Sequence, residues 1–155
     1  MKGTLYKILL PFAQMYWKLF RPATFGVKAV IVQRGNAHEI LLVRHTYGDV
    51  LLWNLPGGGY NPKKESAIHA LQRELGEELG LTPLTVEALG EYYTEAEGKK
   101  DTVKIFLAVV DNAKPGNKRD GEIGHIRWFS VDDIPSLKNA ARIVQTAVRQ
   151  YEGRP

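Results

Sequence analysis

Three glutamates in one short stretch, Glu74, Glu77 and Glu78, have the types and spacing for chemistry. On an α-helix, at about 100° per residue, they fall within one arc of roughly 100°. Ile68, Leu71, Leu75 and Leu79 form an adjoining apolar stripe that would face a core. The carboxylates are therefore expected along the edge of a packed helix. Carboxylates at i, i+3 and i+4 repel by a few tenths of a kcal/mol per pair on an exposed helix. At 5 Å and an effective dielectric near 20, the same pair costs roughly 3 kcal/mol. A hard divalent cation cancels that repulsion, and an oxygen-only donor set suits Mg²⁺ better than Zn²⁺. The plain alternative is a solvated helix face. Gly76 and Gly80 weigh against it, since Gly76 costs the helix about 1 kcal/mol relative to Ala. Upstream, Gly57-Gly58-Gly59 lets backbone approach a ligand or metal with no Cβ in the way.

The surrounding elements must hold this set. A helix is predicted over 65–79 with Gly80 at its stop. Val27–Val32 and Ile40–Val43 are strand runs separated by the Arg34-Gly35-Asn36 turn signal, which predicts a hairpin over 25–45. Leu51–Leu55 is a short strand that ends in Pro56 and the three glycines. Strands follow at about 84–93 and 102–111. Asn112–Gly121 is a polar loop, Ile123–Phe129 a last strand, and Asn139–Tyr151 a closing helix. That order predicts an α/β fold, a mixed β-sheet sandwiched between helices.

Gly59, Glu65 and Arg73-Glu74-Leu75-Gly76-Glu77-Glu78-Leu79-Gly80-Leu81 resemble the complete Nudix box, with seven fixed residues and two aliphatic positions in register. Leu42-Val43-Arg44, Trp53-Asn54-Leu55-Pro56 and Trp128-Phe129 before Asp132-Asp133-Ile134-Pro135 resemble the family's flanks, so the likeness covers roughly residues 25–150. It implies an α/β/α sandwich that hydrolyses nucleoside diphosphates linked to another moiety with Mg²⁺, or Mn²⁺ in its place. Carried over by position, Glu74, Glu77 and Glu78 would ligate the metal, joined by the Gly58 carbonyl. Arg73 would pair with a box glutamate and hold its rotamer, and Glu65 would support the site from the helix N-terminus. Glu122 resembles the position of a further metal ligand. The general base stays open among Glu74, Glu95, Glu97 and Glu122.

Other residues are weaker candidates. Arg44 and His45 end a strand near the expected site mouth and could touch phosphate. Tyr47, Trp53, Tyr92 and Tyr93 could stack a base or simply fill the sheet surface. His38, His45, His69 and His125 have no ligand spacing. Lys99-Lys100 and Lys118-Arg119 are expected to be solvated loop charges. Downstream of the box, Glu95-Ala96-Glu97 stands where many ADP-ribose hydrolases of the family carry a proline. Gly98-Lys99-Lys100 stands where dinucleoside polyphosphate hydrolases carry a tyrosine. The expected substrate is a nucleoside triphosphate or an untyped nucleotide derivative. The alternatives are an RNA 5′-pyrophosphohydrolase and a nucleotide-sensing module without catalysis.

Composition sets the frame. A chain of 155 residues with 44% hydrophobic and 25% charged residues has one domain's worth of core. It contains no cysteine, which excludes disulfides, thiolate metal sites and cysteine nucleophiles. A net charge of +4 favours polyanionic ligands but is too small to indicate DNA binding. No apolar run is long enough for a membrane span and no cleavage site follows the N-terminus, so a cytoplasmic protein is expected. Residues 1–24 form a helical extension ahead of the 25–155 domain. Leu5, Ile8, Leu9, Phe12, Tyr16 and Leu19 fall at helical spacing, and Pro11 should kink or divide that helix. It should pack on the body of the domain; a homodimer contact or a membrane-surface helix are the other readings.

Overall fold

The computed structural model describes residues 2–111, 114–116 and 121–155, so most of the expected polar loop, with Lys118 and Arg119, lies outside the described residues. The side chains of residues 2–8, Trp17 and Glu97 also lie outside them. In chain order the main elements are α1 (Lys2–Phe20), β1 (Ala23–Gln33), β2 (Glu39–His45), α2 (Ala67–Leu79), β3 (Thr85–Thr94), β4 (Lys100–Val110), β5 (Ile123–Ser130) and α3 (Arg142–Glu152). Short 3₁₀ turns cover Ala96–Gly98 and Val131–Ser136.

β1, with its run of apolar residues, is buried on both faces, as a parallel strand under two layers requires. It pairs parallel with β4, which pairs antiparallel with β3, and this makes a mixed sheet in the order β1-β4-β3. β2 pairs antiparallel with β5. Alternate residues of these strands serve two cores. Val27, Ala29, Ile31, Leu41, Val43, Phe106 and Ala108 pack with Leu71, Leu75 and Leu79 of α2. Val30, Val32, Ile40, Leu42, Ile105 and Leu107 pack with Ile143, Val144, Ala147 and Val148 of α3. The result is an α/β/α sandwich.

Four expectations are corrected. The 25–45 hairpin does not form as a ladder: the Arg34–Asn36 turn is present, with Asn36 N–H donating to the Gln33 carbonyl at 2.9 Å, but β1 and β2 part to pair with β4 and β5. Leu51–Leu55 makes only isolated bridges, Asn54 with Val43 and Trp53 with Ala140. The closing helix begins at Arg142 because residues 139–141 are held beside Trp53, whose N–H donates to Asn139 (2.7 Å) and whose carbonyl accepts from Ala141 N–H (2.8 Å). Ile68 is 45% exposed. Its turn of α2 and Ala88 of β3 line an open pocket there in place of a packed contact.

α1 departs from expectation more sharply. Pro11 lies inside a helix that runs unbroken from Lys2 to Phe20. Apart from the half-buried Leu10 and Ala13, its described large apolar side chains are exposed, because α1 meets the rest of the molecule mainly at the Ala96–Gly98 turn, beside the Arg21–Glu95 pair. Among the described residues no helix is long and apolar enough to cross a membrane.

Candidate active site

Local structure aims α2 at the glycine loop. Ser66 caps the helix, its Oγ accepting from His69 N–H at 3.2 Å, and Gly80 ends it in the left-handed conformation at φ 65°. Ala70, Leu71, Glu74, Leu75, Glu78 and Leu79 are the helix's buried residues. Glu74 and Glu78 are thus carboxylates inside a packed face, only 5% and 3% exposed, while Glu77 lies at its open edge.

The glycine loop runs alongside β1. Ala29 N–H donates to the Pro56 carbonyl (3.0 Å), Val27 N–H to the Gly58 carbonyl (2.9 Å), and Tyr60 N–H to the Phe25 carbonyl (3.0 Å). Two positions need glycine. At Gly57, φ is 127°, and a Cβ would stand 2.2 Å from the Val27 carbonyl oxygen. At Gly58 a Cβ would stand 2.7 Å from the Glu74 carboxylate. The Gly58 carbonyl keeps a second lone pair beyond its bond to Val27. The Gly57 N–H donates to Glu78 Oε2 at 3.2 Å, and the Gly57 carbonyl accepts from Lys28 Nζ at 2.9 Å.

Arg73 ties the acids together. Its Nη2 and Nε donate to Glu65 at 2.7 and 3.2 Å, and its Nη1 donates to Glu74 Oε1 at 2.7 Å. Glu77 Oε2 lies 3.6 Å from the same Nη1. The fork holds the Glu65 carboxyl below its usual range, and Glu65 and Glu74 in turn raise the guanidinium. Burial pushes Glu78 up to about 7, against the pull of Lys28 and the Gly57 N–H, with the charges of Glu74 and Glu122 adding to the rise. Glu122 is therefore within electrostatic reach of Glu78.

Glu74, Glu78 and all three glycines line a cleft of about 400 Å³ together with Thr24, Phe25, Lys28, His45, Tyr47, Lys99 and Asp101. A larger depression of about 780 Å³, beside His38, Asp132 and the chain's C-terminus, contains none of the box residues. Arg44 does not line the cleft. Successive strand residues face opposite ways, and Arg44 lies over the Trp53 ring at 4.7 Å while His45 faces the cleft. Burial, and then the Lys28 charge, lower His45 to about 4. Of the residues that could stack a base, Tyr47 lines the cleft, 5.4 Å from the His45 ring. Trp53 is buried against Phe129, Tyr92 packs on the α3 side, and Tyr93 donates to Glu95 at 2.7 Å. Glu95, held by Tyr93 and Arg21, is not in the cleft lining.

Lys28, Thr24, Phe25 and Asp101 are cleft residues that sequence reasoning missed. For Thr24 and Lys28 the signal available was the strand alternation of β1, which puts them on one side with Gly26; Phe25 falls on the other face and Asp101 comes from β4.

The donor chemistry fits a hard divalent cation: two buried carboxylates and a peptide carbonyl, all oxygen, gathered where glycine leaves room. Among the described residues no three acidic or histidine side chains are closed around one point. Arg73 holds Glu74, and burial lowers the Lys28 ammonium below its usual range, opposed by the charges of Glu78, Glu74 and Asp101.

A family model of the NUDIX domain matches residues 24–150, and the chain belongs to the Nudix family. Over 134 residues it is 28% identical to the Bacillus subtilis protein named "Putative 8-oxo-dGTP diphosphatase", an alignment that covers 78% of this chain and 85% of that one. It is 34% identical over 86 residues to an ADP-ribose pyrophosphatase of Mycobacterium tuberculosis, covering 54% of this chain and only 41% of that protein. The solved MutT protein from Methanosarcina mazei superposes with a TM-score of 0.73 at 25% identity, over 86% of this chain and 95% of that one.

Proposed function

We propose that this chain is a divalent-metal-dependent pyrophosphohydrolase that cleaves a phosphoanhydride bond in a nucleoside triphosphate or nucleotide derivative. The observation that carries it is the pair of buried carboxylates, Glu74 and Glu78, set against Gly57-Gly58 at the floor of a cleft that Lys28 and Lys99 also line. Burying two like charges side by side is costly without a counter-charge. In this reading Glu74, Glu78 and the Gly58 carbonyl hold Mg²⁺ or Mn²⁺, with Glu77 and Glu122 completing the set from the rim. A metal held there would supply Lewis-acid polarisation of a phosphoryl oxygen and acidify the attacking water.

The chain's own residues do the rest. Arg73 fixes the Glu74 rotamer and keeps Glu65 ionised beneath it. Lys28 and Lys99 supply positive charge where phosphate oxygens gather charge as the bond breaks. Phe25 and Tyr47 offer ring faces at the cleft to a base. A carboxylate of the set takes the proton of the attacking water.

The test is a panel of nucleotides incubated with Mg²⁺ or Mn²⁺ and resolved by chromatography. It should include nucleoside triphosphates, 8-oxo-dGTP, ADP-ribose and a 5′-triphosphorylated RNA. Cleavage of a panel member that Glu78→Gln abolishes supports the reading. Nucleotide-dependent thermal stabilisation without any product would favour a sensing module instead, and the hydrolase reading would fall.

A further inference from the structure

α1 carries a broad apolar surface that nothing among the described residues covers. Leu9, Phe12, Met15, Tyr16, Leu19 and Phe20 are 52–71% exposed. By helical position they span an arc of roughly 140°. Tyr16 and Phe20 meet each other along it, ring centroids 4.8 Å apart. Leu10 and Ala13, on the opposite flank, are the half-buried members.

Charge says what that surface meets. α1 contains Lys2, Lys7 and Lys18 and no acidic residue, and the first acidic residue of the whole chain is Glu39. Lys7 and Lys18 are eleven positions apart, which puts them within roughly 20° in helical projection, with Gln14 beside them. A wide apolar arc rich in aromatic and leucine residues, with Lys7, Gln14 and Lys18 on the opposite, polar side and no acidic residue, is the composition of a helix that lies in the plane of a membrane interface. A second copy of this helix is a poorer occupant. It would bring more positive charge to the same contact, and the arc is wider than the narrow seam along which two helices pair.

We infer that α1 is a peripheral membrane anchor that docks its Leu9–Phe20 face into an anionic phospholipid surface. The apolar side chains enter the headgroup boundary and the lysines meet lipid phosphates, so the domain is held at the bilayer without spanning it. The anchor leaves the cleft's own residues untouched.

The test uses the full chain, sedimented with vesicles of phosphatidylcholine alone or mixed with phosphatidylglycerol. Binding to the mixed vesicles is expected to be at least tenfold tighter, and to weaken in about 1 M salt, where the screening length falls to about 3 Å. The pair Phe12→Glu with Leu19→Glu should lose at least tenfold in binding at an unchanged melting temperature. The pair Lys7→Glu with Lys18→Glu should lose a similar factor on mixed vesicles only. Absence of pelleting with either vesicle overturns the anchor, as does equal pelleting with both. A stable dimer that Phe12→Glu dissociates overturns it too, since the face is then covered by a second copy. If either pair of substitutions fails to fold, the comparison of the two vesicle compositions with the unaltered chain decides alone.

Discussion

Gly58 and Glu74 touch in a way no other residue at 58 would permit, because a Cβ there would stand 2.7 Å from both Cδ and Oε2 of the carboxylate. The glutamate cannot simply step aside, since Arg73 holds its other oxygen at 2.7 Å. Gly58→Ala is therefore expected to displace the buried acid. A shift of about 1 Å in a catalytic group costs about 100-fold in turnover, and the overpacking costs about 1–3 kcal/mol of stability. Steady-state kinetics and urea unfolding read the two effects.

Gly76 gives the opposite expectation. A Cβ at this helical glycine meets nothing within 4 Å. Gly76→Ala should raise stability by about 1 kcal/mol through helix propensity alone. Turnover should be unchanged if open space is all that glycine provides there; a loss of activity would mean that substrate or metal needs the space.

Arg73→Lys keeps the charge and loses the fork. Lysine cannot donate in two directions to Glu65 and to Glu74 at once. The variant should fold with a loss of about 1–3 kcal/mol, and its turnover should fall while the Michaelis constant changes little. Arg73→Ala should be worse on both counts, since it leaves Glu74 buried beside Glu78 with that partner gone.

The metal-free protein should show two opposed pH dependences. Glu78 is raised to about 7 in the fold, so it binds more protons folded than unfolded. Its contribution is fully present below the ordinary carboxylate range and is lost as pH rises through 7, up to about 3 kcal/mol. His45 is lowered to about 4, so it contributes stability above its ordinary value that is lost as pH falls toward 4. Its partial exposure discounts that to about 1–2 kcal/mol. Unfolding free energies between pH 4 and 8 should therefore rise with pH in Glu78→Gln and fall with pH in His45→Gln, the intact protein lying between them.

Much of this architecture was legible in the sequence because it is local. The period of α2, its Gly80 stop and the glycine run before it are all written within 25 residues. The partner of β1 was not legible. A strand buried on both faces shows an unbroken apolar run whichever neighbour it has, and the pairing of Val27 with Lys104 joins residues 77 positions apart. The same limit hid Lys28, a lone residue in a strand that only the fold brings to the glutamates. Arg44 and His45 were equal candidates by position, and the alternation of β2 separates them. α1 was legible as a helix but not as an uncovered one, since its apolar spacing alone suits packing on a domain equally well.

The claim beneath all of this is that Glu74 and Glu78, against Gly58, hold one divalent cation. Titration of the intact chain with Mn²⁺, followed by the loss of the free ion's electron paramagnetic resonance signal, tests it most directly. The account predicts saturable binding that Glu74→Gln and Glu78→Gln each weaken by at least tenfold without unfolding the protein. Equal Mn²⁺ binding by the unaltered chain and both variants would contradict it.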